Sequence, residues 1–90
     1  MKLEELYAVI QKRIREKQEG SYVASVVAES VDRAIQKVGE EAVEVVIAAK
    51  NGERQRIISE SADLLFHLLI LLAMQDIALE DIGNELDARK

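Results

Sequence analysis

The sequence contains no cysteine and no proline, and only three of its 90 residues are aromatic. The absence of cysteine excludes disulfide bonds, thiolate metal sites and cysteine nucleophiles, and it fits a reducing compartment. Long apolar runs are also missing: the run from Leu64 to Met74 contains His67 and is far shorter than the ~20 residues of a membrane span. Charged residues occupy the positions where a signal peptide would be apolar. We therefore expect a soluble, cytoplasmic protein without a membrane partner.

Positive charge is scarce as well. Lysine and arginine number 12 against 17 acidic residues, which gives a net charge of −5. This acidic balance argues against nucleic acid as the main partner. A chain of 90 residues forms one domain at most, spanning 1–90, and buries a modest core, so a second subunit would add stability.

The spacing of apolar residues predicts an all-α chain. An amphipathic helix is expected over residues 2–18, and a short apolar segment over 22–28 is expected to be helical, although its valines leave a strand open. Two long helices are predicted over about 31–50 and 53–75, and a last one over about 78–88. Ser21 and Ser30 are suitable N-caps, and Asn51-Gly52 tolerates the backbone that ends a helix.

The first long helix carries apolar residues on more than one side. One stripe, spaced by fours and threes, favours packing in a bundle; it consists of Val31, Ile35, Val38, Ala42, Val45 and Ala49. Val43 and Ile47 lie well away from that stripe. This distribution indicates burial from several sides, including by a second subunit. The predicted fold is therefore an antiparallel helical bundle of four to five helices, completed by dimerisation.

Acidic residues cluster on both long helices. Glu40, Glu41 and Glu44 share one side because offsets of three and four return to the same face, and Glu60 and Asp63 do the same on the next helix. Glu41 and Glu44 lie 11 and 8 positions before Gly52, while Glu60 and Asp63 lie 8 and 11 after it. A tight turn at Gly52 would therefore bring the two pairs level.

Clustered, partly buried carboxylates need a positive partner. A site made only of oxygen ligands favours a hard divalent cation, Mg²⁺ or Mn²⁺, over zinc. Such an ion suits a polyphosphate substrate.

The acidic pattern, Glu-Glu-x-x-Glu followed by Glu-x-x-Asp, resembles the MazG-like all-α nucleotide pyrophosphatase superfamily, whose members hold Mg²⁺ with these acids. Three longer blocks narrow the resemblance: Gly20-Ser21-Tyr22, residues 36–50 and residues 60–69. Within the superfamily they resemble the phosphoribosyl-ATP pyrophosphatases of histidine biosynthesis. The likeness extends from about residue 3 to residue 88.

This resemblance implies hydrolysis of phosphoribosyl-ATP to phosphoribosyl-AMP and pyrophosphate, by Mg²⁺-assisted attack of water and without a covalent intermediate. By motif position, the implied metal ligands are Glu41, Glu44, Glu60 and Asp63. Glu40 is then the candidate for the base that aligns water, or for a group that supports a ligand. The candidates for phosphate contact are Lys37, Lys50, Arg54 and Arg56. Arg13 and Lys17 are further candidates that would reach the site of a neighbouring subunit.

Several alternatives remain open at this stage. His67 either orients Asp63 or Glu60 or contacts the substrate, and Tyr22 is expected to pack. A house-cleaning nucleoside triphosphate pyrophosphatase of the same superfamily would share the acidic motif. A structural helical dimer or a di-iron carboxylate bundle would also use acidic helices, although the latter normally requires Glu-x-x-His pairs and this chain has one histidine.

Overall fold

Five α-helices form the described part of the chain, which comprises residues 1–17 and 19–90 of a computed structural model. They are α1 (Leu3–Glu16), α2 (Tyr22–Glu29), α3 (Val31–Lys50), α4 (Arg54–Met74) and α5 (Leu79–Ala88). These residues contain no strand, so the segment left open at 22–28 is helical. The all-α prediction is confirmed, while residue 18, the predicted end of the first helix, lies outside the described residues.

Local capping sets the helix boundaries where the sequence predicted them. The hydroxyl oxygen of Ser21 accepts a hydrogen bond from the Ala24 amide at 3.4 Å, and that of Ser30 accepts one from the Arg33 amide at 3.3 Å. Each bond satisfies an amide that has no partner within its helix. The turn between α3 and α4 ends at Gly52, whose φ of +65° favours glycine over any residue with a Cβ.

A small apolar core joins α1 and α2 to α3 and α4. Its buried members are Tyr7, Ile10, Val23, Val26, Ala34, Leu69 and Ile70. The hydroxyl of Tyr7 donates to the carbonyl of Ile77, which ties α1 to the turn after α4. This core fixes α2 beside α4, and that placement matters for the site.

The packed side of α3 differs from the predicted stripe. Ala34 and Ala48 are buried, whereas Val31, Ile35 and Ala49 of the stripe are exposed. Apolar spacing shows that a face is apolar but not which of two apolar faces packs within the chain. The consequence is a broad exposed apolar surface on α3.

The outermost apolar residues of α5 are also exposed, Ile82 and Leu86 among them. Helix α4 is long and apolar enough to cross a membrane by length and composition. Core helices of soluble proteins pass the same test, and 17% of the apolar window of α4 is buried within the described chain, Leu69 and Ile70 included.

Candidate active site

Three carboxylates meet between α3 and α4. Glu41 projects from α3, and Glu60 and Asp63 project from α4; one carboxylate oxygen from each lies within 4.8 Å of the other two. Glu41 and Glu60 are half-buried and Asp63 is exposed. Their meeting follows from the antiparallel arrangement about Gly52, as the symmetric spacing predicted. We call Glu41, Glu60 and Asp63 the acidic cluster.

Glu44, the fourth predicted ligand, is not part of the acidic cluster. Its carboxylate lies 3.6 Å from a guanidinium nitrogen of Arg56. The same guanidinium reaches Glu60 at 3.8 Å and Glu53 at 3.9 Å. Arg56 therefore bridges the acids of the two helices, and of the predicted phosphate-binding residues it is one of two that the structure places at the site.

Lys37 is the other. Its ammonium nitrogen lies 3.3 Å from Glu41 and 3.5 Å from Glu40, and its side chain is only 17% exposed, against 14% for that of Glu41. Burial works to lower the pKa of Lys37, but the hydrogen bond to Glu41 and the surrounding negative groups raise it above its ordinary value. Lys37 is therefore fully charged at neutral pH and forms a half-buried ion pair with Glu41.

Glu40 has a different environment from its neighbour. It is exposed, and its carboxylate accepts a hydrogen bond of 2.7 Å from the side-chain amide of Gln36. This bond is the main reason that the pKa of Glu40 lies below its ordinary value, and the charge of Lys37 adds to the effect. Glu40 is thus an ionised hydrogen-bond acceptor at the edge of the acidic cluster, which suits a group that orients water.

The charges at this site do not balance. Six carboxylates adjoin the site, against the two positive charges of Lys37 and Arg56; they are Glu40, Glu41, Glu44, Glu53, Glu60 and Asp63. The excess of negative charge is the setting in which a divalent cation binds. All the available ligand atoms are oxygens, which is the donor set of Mg²⁺ and Mn²⁺.

A hydrogen-bonded chain connects Asp63 of the acidic cluster to His67 and then to Tyr22; contact between His67 and Asp63 was one of the alternatives from the sequence, and the bond to Tyr22 was not predicted. His67 is 7% exposed; its Nδ1 lies 2.8 Å from the backbone oxygen of Asp63, and its Nε2 lies 2.8 Å from the hydroxyl of Tyr22. His67 thus contacts Asp63 through the backbone rather than through the carboxylate. The i, i+4 spacing of Asp63 and His67 was the available signal for half of this chain, whereas nothing in the sequence pointed to Tyr22 as the partner.

The remaining predicted phosphate-binding residues lie apart from the acids. Lys50 and Arg54 are exposed beside the α3–α4 turn, and within residues 1–17 and 19–90 neither forms a salt bridge. Arg13 is exposed on α1, and Lys17 borders a groove beside α2. Their proposed contacts stay predictions.

Comparison with known proteins gives one consistent result. The sequence model of the family described as Phosphoribosyl-ATP pyrophosphohydrolase matches residues 3–90. A phosphoribosyl-ATP pyrophosphatase from Metallosphaera sedula is 51% identical over 87 residues, which covers 97% of this chain and 94% of that protein. One from Methanocella arvoryzae is 46% identical over 90 residues, with 98% and 95% covered. One from Listeria innocua is 49% identical over 88 residues, with 98% and 84% covered.

Proposed function

The chain belongs to the phosphoribosyl-ATP pyrophosphohydrolase family, and we infer that it is the hydrolase that converts phosphoribosyl-ATP to phosphoribosyl-AMP and pyrophosphate in histidine biosynthesis. The observation that carries this conclusion is the extent of the match, which covers 97–98% of this chain and 84–95% of the relatives. The acidic cluster agrees with it, because three carboxylates can hold a divalent cation, and such a cation offsets the negative charge of a polyphosphate during hydrolysis.

Mg²⁺ is the proposed cofactor, with Mn²⁺ as a substitute. Glu41, Glu60 and Asp63 would hold it, with Glu44 as the fourth ligand once its carboxylate leaves Arg56. Their oxygens and the excess of negative charge at the site support this assignment. When bound, the ion supplies positive charge that offsets the phosphate oxygens as pyrophosphate departs.

The protein's own groups have separate roles in this proposal. Glu40, ionised and held by Gln36, orients the attacking water and accepts its proton. Arg56 and Lys37 exchange their carboxylate partners for phosphate oxygens; Arg56 can do so bidentately, because its planar guanidinium matches two oxygens. Lys50 and Arg54 would contact the outer phosphates.

A homodimer is the proposed assembly, and a second copy would cover the exposed apolar side of α3. Val46 and Ile35 on that side are 57% and 52% exposed, and Ile58 and Leu65 of α4 are exposed too. The chain exposes 6383 Å², whereas a compact protein of its 10.1 kDa exposes about 5300 Å². The excess, on the order of 1,000 Å², is comparable with the ~800 Å² that each partner buries in a standard interface. With these faces covered, we propose a soluble cytoplasmic enzyme.

Dimerisation can be tested at one position. A charge at the centre of the exposed surface, Val46→Asp, should convert the dimer to a monomer in light scattering, because a desolvated carboxylate without a partner is unfavourable. The matched control is Leu86→Asp, on the exposed end of α5, which should leave the mass unchanged. A wild-type chain that is already monomeric would refute the proposed assembly.

The activity test is pyrophosphate release from phosphoribosyl-ATP, with and without Mg²⁺. Glu60→Gln should abolish the release, whereas Glu85→Gln, an exposed change on α5, should preserve it. Glu44→Gln decides the ligand set: the full proposal expects loss of Mg²⁺-dependent release, and unchanged Mg²⁺ dependence would restrict the ligands to the acidic cluster. Hydrolysis of nucleoside triphosphates with no action on phosphoribosyl-ATP would overturn the assignment.

A further inference from the structure

A groove of about 870 Å³ lies between the C-terminal end of α1 and helix α2. Its volume is within the range of small-molecule sites, roughly 300–1,000 Å³. Apolar side chains supply much of its wall, among them Ile14, Val27 and Ala28. Lys17 and Glu19 also line it, with opposite charges, so the groove does not select strongly for an ionic ligand.

Tyr22 connects this groove to the acidic cluster. The residue lines the groove, while its hydroxyl lies 2.8 Å from Nε2 of His67, and Nδ1 of His67 lies 2.8 Å from the backbone oxygen of Asp63. A carbonyl oxygen only accepts, so Nδ1 carries a proton, and in neutral histidine Nε2 then accepts the proton of the Tyr22 hydroxyl. Two residues therefore separate the groove from a proposed metal ligand.

The ring of Tyr22 is held in place yet remains 46% exposed. It stacks on Phe66 with 6.1 Å between ring centroids and 27° between planes, and His67 meets it edge-on at 5.5 Å. These contacts use one face and the polar tip of the ring. The exposed part of Tyr22 belongs to the groove wall and its ring is positioned before a ligand binds, which reduces the entropy lost on binding.

We propose that the groove binds the purine base of the substrate, stacked against Tyr22, while the phosphate chain extends to the acidic cluster. This inference rests on the proposed function. The two neighbouring sites match the two ends of a nucleotide. The flat purine ring can stack on Tyr22, and the phosphates can interact with Lys37, Arg56 and the proposed metal ion. Stacking of a base on an aromatic side chain typically strengthens binding roughly tenfold to a hundredfold.

The test compares two ligands that differ by the base, AMP and ribose 5-phosphate, measured by titration calorimetry with Mg²⁺ present. Compared with Tyr22→Phe, which also loses the hydroxyl bonded to His67, Tyr22→Leu should weaken AMP binding roughly tenfold to a hundredfold, while the two variants should bind ribose 5-phosphate equally. Tyr22→Phe keeps the ring and should retain most of the AMP affinity. Tyr7→Phe, at the buried tyrosine bonded to Ile77, is the matched control and should change neither affinity.

A second variant keeps the test independent of how Tyr22→Leu folds. Ala28→Trp, at an exposed position in the groove wall, should block AMP and leave ribose 5-phosphate bound. Unchanged AMP affinity in both variants would overturn the proposal, as would a change of molar mass in either, because the groove would then be a subunit contact. The proposed function is tested by a different measurement. If it is wrong, wild-type protein will not release pyrophosphate from phosphoribosyl-ATP, whatever the Tyr22 variants show for AMP binding.

Discussion

Replacing Asp63 by asparagine should stabilise the protein without metal and weaken its response to metal. Asp63 lies within 4.8 Å of a carboxylate oxygen of both Glu41 and Glu60. In the part of the chain that the structure describes, Lys37 pairs with Glu41 and Arg56 with Glu60, whereas no salt bridge involves Asp63. No cation pairs with Asp63 itself, and the cations beside Glu41 and Glu60 offset only part of its repulsion by those acids.

The size of this effect follows from the separation. Two unit charges 4.8 Å apart in water repel by about 0.9 kcal/mol, and Asp63 takes part in two such pairs. Screening at physiological ionic strength reduces the total to about 1 kcal/mol, which is an upper limit because Lys37 and Arg56 lie beside the two acids. Asparagine and aspartate have similar helix propensities, so the charge is the main change. For a domain of this size, 1 kcal/mol corresponds to a rise in Tm of roughly 4–8 °C.

Thermal melting followed by circular dichroism, at one fixed protein concentration, provides the assay. In EDTA the Asp63→Asn variant should melt above the wild type; in excess Mg²⁺ the wild type should gain more than the variant, because the ion binds the folded site alone. Asp87→Asn, an exposed change on α5, should show neither effect. A lower Tm of Asp63→Asn in EDTA, or an Mg²⁺ response equal to that of the wild type, would refute the electrostatic reasoning.

Three further predictions use other parts of the molecule. Lys37→Met should lower stability in EDTA by about 1 kcal/mol, and Mg²⁺ should restore it, because Glu41 loses its half-buried cation; melting with and without metal measures both. Burial and the charges of nearby aspartates raise the pKa of Tyr7 above 10.0. Because the folded state then keeps this proton to higher pH than the unfolded state does, the free energy of unfolding should fall as pH rises above 10.0. Urea titrations should show a shallower fall for Tyr7→Phe. Gly52→Ala should lower the free energy of unfolding by about 1 kcal/mol, because alanine is strained at a φ of +65°. Gly83→Ala, within α5 and with open space around an added Cβ, should raise it by up to about 1 kcal/mol. The same urea titrations measure both changes.

Most helix boundaries were predictable because their signals are local. Ser21, Ser30 and Gly52 each act within three or four residues of their own position, so the neighbouring sequence contains the whole interaction. The meeting of Glu41 with Asp63 was predictable for a related reason. Once Gly52 sets a tight turn between antiparallel helices, position along each helix follows from counting.

Rotation of each helix about its own axis was not predictable in the same way. The exposed side of α3 is apolar enough to be a core face, and the chain instead buries the side of Ala34 and Ala48. Side-chain pairing depends on that rotation and on rotamers, which explains why Glu44 was expected with the other ligands and is found on Arg56. The bond between Tyr22 and His67 joins residues 45 positions apart and requires the placement of α2 on α4.

The pairing of Glu44 with Arg56, and of Glu41 with Lys37, bears on the order of events in the proposed reaction. Each pair joins a proposed metal ligand to a proposed phosphate-binding residue, so a carboxylate that turns to the metal releases a cation beside the site. The released cation is then available to a phosphate oxygen, and a phosphate that binds it makes the carboxylate available in return. Metal and substrate should consequently strengthen each other's binding by the same factor, as linkage requires. In this proposal the two cations have a function in both states: they pair with the acids when metal is absent, and they would bind the phosphates when it is present.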